Sequence, residues 1–188
     1  HHEHRRQRQM CIRDSIEPEL VQAIVSLCQR ERVSTVSCLL TAWAALLSRL
    51  SGQDELILGQ PYSVQGEYSE LQAVIGCFAT PIPVRVGLPA PDATFRQLLR
   101  HTFAELLQAL AHASVPLFRI VEASGTVRSG THNALFQTIV QLLPRDPAGG
   151  SESNVGGQLQ GIDLFLNLAE QPDGALQAVL LFNAAIFL

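Results

Sequence analysis

Charge is scarce in this chain. Of 188 residues only 16% are Asp, Glu, Lys or Arg, and the net charge is −4. A nucleic-acid surface needs clustered Lys and Arg to displace condensed counterions, and nothing here points to one. The one basic cluster is Arg5, Arg6 and Arg8. Aromatic residues are also few, at 6%. The apolar 47% is therefore mostly Leu, Ala and Val, which suits a soluble globular core. No apolar run reaches the roughly 18 residues of a membrane span. The first ten residues are nearly all polar, so no signal peptide is visible. Cys11, Cys28, Cys38 and Cys77 form no CxxC pair, and no Cys–His spacing suits zinc. Cys28 and Cys38 fall in apolar helical stretches, where a free thiol acts as a small hydrophobe. A reducing, cytosolic setting is the expectation. No GxSxG is present, and Gly149-Gly150 and Gly156-Gly157 lack the GK[ST] of a phosphate loop.

What is present alternates between helix and strand. From Pro18 to about Arg30, Leu20, Ile24 and Leu27 recur at helical spacing, and Pro18 suits a first helical position. A clearer helix follows Ser34 or Thr35 as cap. Its stripe is Val36, Leu39, Leu40, Trp43, Leu46, Leu47 and Leu50, and Gly52 ends it. Trp43 on that stripe belongs to the core. Glu55 to Gly59 reads as a short buried strand, Gln60 to Gly66 as a loop, and Tyr68 to Val74 as a short helix. Phe78 to Val86 is extended, and Pro81 and Pro83 confine it to an edge, a bulge or a crossover.

A long helix is expected from Thr94 to His112, with a stripe broad enough to bury most of its circumference. A second begins near Pro116. Leu135 to Leu143 reads as a strand with Phe136, Thr138 and Val140 on one face. Pro144 to Gly161 reads as a mobile loop. The ending is a hairpin, Ile162 to Ala169 and Ala175 to Phe182, turning at Asp173-Gly174. The fold class is α/β, a mixed sheet with flanking helices.

Residues 1–14 stand apart. They carry no apolar period, and Arg5 to Asp14 resembles translated sequencing-adapter sequence. The segment is expected to be a non-native or disordered tail. The spacing of His1 and His4 could seat a metal on a helix, but a tail explains them better, and no metal site is assigned.

Four stretches resemble, in the family's order, the signatures of condensation domains from nonribosomal peptide synthetases. VSTVSCLLTAWAALLSRLSGQDELILGQP, from Val33 to Pro61, is similar to a long helix–strand pattern of that family. Ile75 to Arg85 resembles IGxFVNTxxxR and supplies Gly76, Phe78, Thr80 and Arg85. His112 to Phe118 resembles HQDxPFE and supplies His112 and Pro116. Arg128 to Gln137 resembles RxxSxxPLFQ and supplies Arg128, Phe136 and Gln137. A softer match at Asp163-Leu164 resembles FDLxL. The departures are Thr80 for Asn, Pro81 for Thr, Ser114 for Asp and Ala134 for Pro. The usual arginine after the GxP loop is absent, and Gln65 or Gly66 stands near it. These departures bear on substrate class more than on family.

The resemblance covers about residues 15–188. It implies the C-terminal lobe of a chloramphenicol acetyltransferase-like two-lobed fold, truncated at both ends. It further implies amide-bond formation between acyl and aminoacyl thioesters held on phosphopantetheine arms. Those arms would be borne by peptidyl carrier domains, with an adenylation domain in the same parent chain and a missing N-terminal lobe as partner. The family's catalytic HHxxxDG occurs nowhere in the chain, so no catalytic residue is assigned. His1-His2 is the only adjacent pair, and Arg6 and Gln7 stand where Asp and Gly are needed. For His112 a helix-terminal role at exposed carbonyls is favoured, and His101 and His132 are expected at the surface. Arg85 is expected to pair with a carboxylate. Two rival readings are another acyltransferase of the same fold and a non-catalytic module that docks carrier proteins.

Overall fold

The computed structural model describes residues 9–66, 68–71, 73–76, 78–87, 93–126, 133–144 and 161–187. Two helices come early, α1 (Pro18–Glu31) and α2 (Thr35–Ser51). Pro18 opens α1, and Arg32 closes it in the left-handed region at φ 56°. Ser34 caps α2 by accepting the Ser37 amide at 3.1 Å, and Gly52 ends it at φ 72°. Two more helices follow in the middle of the chain, α3 (Phe95–Ala111) and α4 (Leu117–Ser124). Thr94 and Gln97 form a reciprocal capping box at the start of α3. Such a cap contributes about 1 kcal/mol. A short α5 (Ala184–Phe187) ends the described chain.

The helices serve one mixed sheet of six strands: β1 (Gln9–Ile16), β2 (Glu55–Ser63), β3 (Ala79–Gly87), β4 (Thr138–Leu143), β5 (Leu164–Glu170) and β6 (Leu176–Asn183). The spatial order is β1-β6-β5-β4-β2-β3. β4 runs parallel to β2 and to β5, and the other neighbours are antiparallel. β2 and β4 meet through one register pair, Gly59 with Ile139.

Alternation along the strands divides the apolar residues between two faces. Leu58, Val84, Val86, Val140 and Leu168 bury against Leu39, Leu40 and Ala44 of α2 and Leu98 and Leu106 of α3. The opposite face carries Ile139 and Phe165 with Phe136 and Ile162, and Ile57, Leu117 and Leu181 pack on them. Trp43 packs on the first cluster, and its indole N–H donates to Thr138 Oγ1 at 2.9 Å. A third cluster of Cys28, Cys38 and Leu99 joins α1, α2 and α3. Glu31, its side chain 6% exposed, ties α1 to α3 through Arg96 and Arg100, each at 2.8 Å.

Several expectations need correction. Residues 9–14 are not a structureless tail: they lie in β1, paired from Gln9 with Asn183 to Asp14 with Ala178. Main-chain hydrogen bonding to β6 requires no apolar period in β1. Residues 1–8 lie outside the described residues. β2 runs on through Gln60 to Ser63, because β3 pairs with it over its whole length. Among the described residues between Tyr68 and Val74 there is a 3-10 turn, Ser69–Leu71, where a short helix was expected. Phe136 precedes β4 and faces away from Thr138 and Val140, because Asn133 bends the chain there by accepting the Leu135 and Phe136 amides. α3 is buried on one side only. Leu98, Leu99, Thr102 and Leu106 face inward, while Phe95, Leu107 and Leu110 are exposed. Most of the expected 144–161 loop lies outside the described residues. The edge position of β3 and the terminal hairpin match expectation, with Gly174 at φ 88° in its turn.

Candidate functional site

The motif residues gather in two places, and a third group stands apart. At the start of β4 and β5, Phe136, Gln137 and Asp163 come together. The Gln137 carbonyl accepts the Asp163 amide at 2.8 Å and the Leu164 amide at 3.1 Å. Asn183, at the end of β6, donates its side-chain N–H to Asp163 Oδ1 at 3.1 Å. Gln137 Nε2 donates to the Asn133 carbonyl at 2.9 Å, and the Asn133 amide to Gly161. These bonds knit the strand ends into one junction. Phe136, almost fully buried, lies under it on Gly59. A Cβ on Gly59 would stand 2.6 Å from the Phe136 ring and 2.8 Å from Ile139, so only glycine fits. Leu117, from the His112–Phe118 stretch, packs on the same cluster.

The second place is the tip of the β2–β3 hairpin. Thr80 stands opposite Tyr62 in the register. The Phe78 ring lies against Gly76, where an added Cβ would be 3.1 Å from it. Ile75 beside it is fully exposed.

Arg85 does not join either place. Five residues of strand, roughly 17 Å, separate it from Thr80. It pairs with Glu55 across the hairpin, Nε to Oε1 and Nη2 to Oε2, both at 2.8 Å. The hydrogen bonds from Arg85 hold the Glu55 carboxyl below its ordinary range and raise the guanidinium in turn. Both side chains are more than half exposed, so the pair adds little stability. His112 closes α3 through its backbone N–H, which donates to Ala109 and Leu110, and its ring is exposed. Pro116 caps α4. Arg128 lies outside the described residues.

No group of three or more His, Cys, Asp or Glu that could hold a metal occurs among the described residues. The hydrogen bonds of Gln137 and Asp163 join strand ends. An open depression of about 610 Å³ lies between Arg13 and Asp173 at the far edge of the sheet, and no motif residue lines it. Sequence reasoning missed Asn133 and Asn183, and gave Gly59 only as a strand end and the glycine of the GxP match. The signal for Asn133 was available, since an Asn two or three residues before an apolar strand favours such a turn. Nothing local marks Asn183, which works through a partner twenty residues away.

The family model for the condensation domain matches residues 3–167. The chain belongs to the condensation domain family. Chondramide synthase cmdD of Chondromyces crocatus is 30% identical over 175 residues, which are 89% of this chain and 4% of that protein. Phosphinothricin tripeptide synthetase PhsC of Streptomyces viridochromogenes is 34% identical over 140 residues, 74% of this chain and 12% of that protein. The chain thus spans a small part of the curated relatives it matches.

Among solved structures, the condensation domain from Monacolin K polyketide synthase MokA superposes with a TM-score of 0.82 at 20% identity. The match covers 96% of this chain and 43% of that one. The X-domain from teicoplanin biosynthesis, in complex with OxyB, gives 0.82 at 21% identity, over 95% of this chain and 41% of that one. The condensation domain fold, chloramphenicol acetyltransferase-like, is therefore the fold of this chain. No single helix among the described residues is long and apolar enough to cross a membrane.

Proposed function

We propose that this chain is the C-terminal lobe of a condensation domain and supplies one wall of the tunnel in which an amide bond forms. In that reaction a carrier-bound amine attacks the carbonyl of a second carrier-bound thioester. The C–N bond forms, the C–S bond breaks, and the departing thiolate takes up the proton that the amine loses. The lobe's share is to hold the two phosphopantetheine arms, which are substrate handles of peptidyl carrier domains, at reacting distance. The proton-handling histidine belongs to the N-terminal lobe. Gly76, Phe78 and Thr80 form the wall on this side, while Phe136, Gln137 and Asp163 brace the strands behind it. An adenylation domain in the same parent synthetase loads the acceptor.

The observation that carries this reading is a family match over residues 3–167 in a chain without HHxxxDG. A supporting one is the apolar surface of α3, α4 and the link between them, where Leu107, Leu110, Phe118 and Val115 are exposed. The test is transfer between two loaded carrier domains, with this chain alone and with an N-terminal lobe added. Product only in the second mixture is expected. Turnover by the chain alone overturns the lobe assignment.

A further inference from the structure

Gln65 follows β2, where the chain leaves the sheet before returning as β3. We propose that Gln65 is a positioning residue, whose carboxamide holds the turn that delivers Gly76 and Phe78 to β3. Its purpose rests on the tunnel-wall reading above, but the hydrogen bonds that carry it do not. Nε2 donates to the Leu71 carbonyl at 3.0 Å and to the Val74 carbonyl at 3.3 Å. A primary amide nitrogen has two hydrogens, so both are spent. The Leu71 carbonyl also accepts the Val74 amide at 3.1 Å, and both its lone pairs are used. Gln65 is itself fixed, since its amide donates to Ser63 Oγ at 3.3 Å.

Burial among the described residues of this turn is slight, with Leu71 half-buried. Tyr68, Val74 and Ile75 are exposed, and Ile75 completely so. Among its described residues, the main chain of the turn makes two bonds of its own, Leu71 to Tyr68 and Val74 to Leu71. A segment with so little packing belongs to the low-stability end of a fold unless something clamps it. Gln65 is the clamp on the incoming side, and the Phe78 ring on Gly76 is the clamp on the outgoing side. A wall ordered in advance spares the substrate arm the cost of ordering it.

The test is amide hydrogen exchange on the chain as it stands, in three variants. Gln65→Glu keeps the shape and loses the donors, Gln65→Met loses them without charge, and Gln65→Arg keeps donors. Exchange at Leu71 and Val74 should rise at least about tenfold in the first two and return to near the parent rate in Gln65→Arg. The Val140 amide, in the middle of the sheet, serves as the folding control and should not change. Unchanged exchange in Gln65→Glu and Gln65→Met overturns the proposal, as does Gln65→Arg exchanging as fast as Gln65→Met. Exchange decides the clamp, and the two-carrier transfer assay separately decides the reading that gives it a purpose.

Discussion

The two edges of the sheet are built on different terms. β3 buries Ile82, Val84 and Val86 under α3, shows Pro81 and Pro83, and is tied to β2 by Arg85 and Glu55. Prolines on an edge also discourage pairing with a second sheet. β1 exposes Cys11, Ile12, Arg13, Asp14 and Ser15, and of its described side chains only Ile16 reaches the main core. Its eight register pairs with β6 are a main-chain affair. One edge is therefore packed largely through side chains, and the other is joined mainly through its main-chain register with β6.

The largest expected effect is chemical. Burial first, and then the neighbouring Cys28 thiol, push Cys38 up to about 12. Cys28 is raised as well, chiefly by burial. At neutral pH Cys38 is therefore held as the thiol, with far less thiolate than an ordinary cysteine. Cys11 on β1 is exposed. In a Cys77→Ser background, timed labelling with a thiol reagent should show one fast site and two very slow ones. Three equal rates would break the contrast between edge strand and interior.

Next comes packing. Gly59→Val drives a branched side chain into the Phe136 ring and should cost about 3 kcal/mol or more. Val84→Ala on β3 should cost roughly 2–3 kcal/mol, while Ile12→Ala on β1 should stay within about 0.5 kcal/mol. Urea midpoints at constant slope measure all three. A loss at Ile12 equal to that at Val84 would show that β1 is held by its side chains after all.

The smallest effect is electrostatic. Glu55 has a depressed folded-state pKa, so its contribution is present above the unfolded carboxyl value of about 4.3 and is lost as pH falls through the folded one. Arg85→Gln should lower stability slightly at pH 7, and the gap from the parent should close as pH drops through the carboxylate range. Added salt should close it too. Urea midpoints at pH 7, 5 and 3 sharpen the point: a gap that widens in acid would mean that Arg85 acts through something other than Glu55.

The helices were legible because their signals are local. Ser34, Gly52, Thr94 and the apolar stripes each act within a turn or two of where they stand. β3 was legible as an edge because proline lacks a donor wherever it is placed. β1 was not legible, because a strand held by its neighbour's main chain needs no pattern of its own. The end of β2 was missed for the same reason, since β3 pairs with it well past Gly59. Phe136 was put on the wrong face because alternation was extended through an Asn133 turn that is not strand. Of the site, the composition of the junction was visible in the motif residues. Its geometry was not, because Gly59 meets Phe136, and Asn183 meets Asp163, only through tertiary contacts.

The lone rung between β2 and β4 has a mechanical consequence. The remaining ladders carry six or more rungs each, so the sheet is two well-laced panels joined by a single stitch. What holds the panels together is therefore side-chain packing across the seam, Leu58 and Val84 with Val140 and Leu168 on one face and Phe136 against Gly59 on the other.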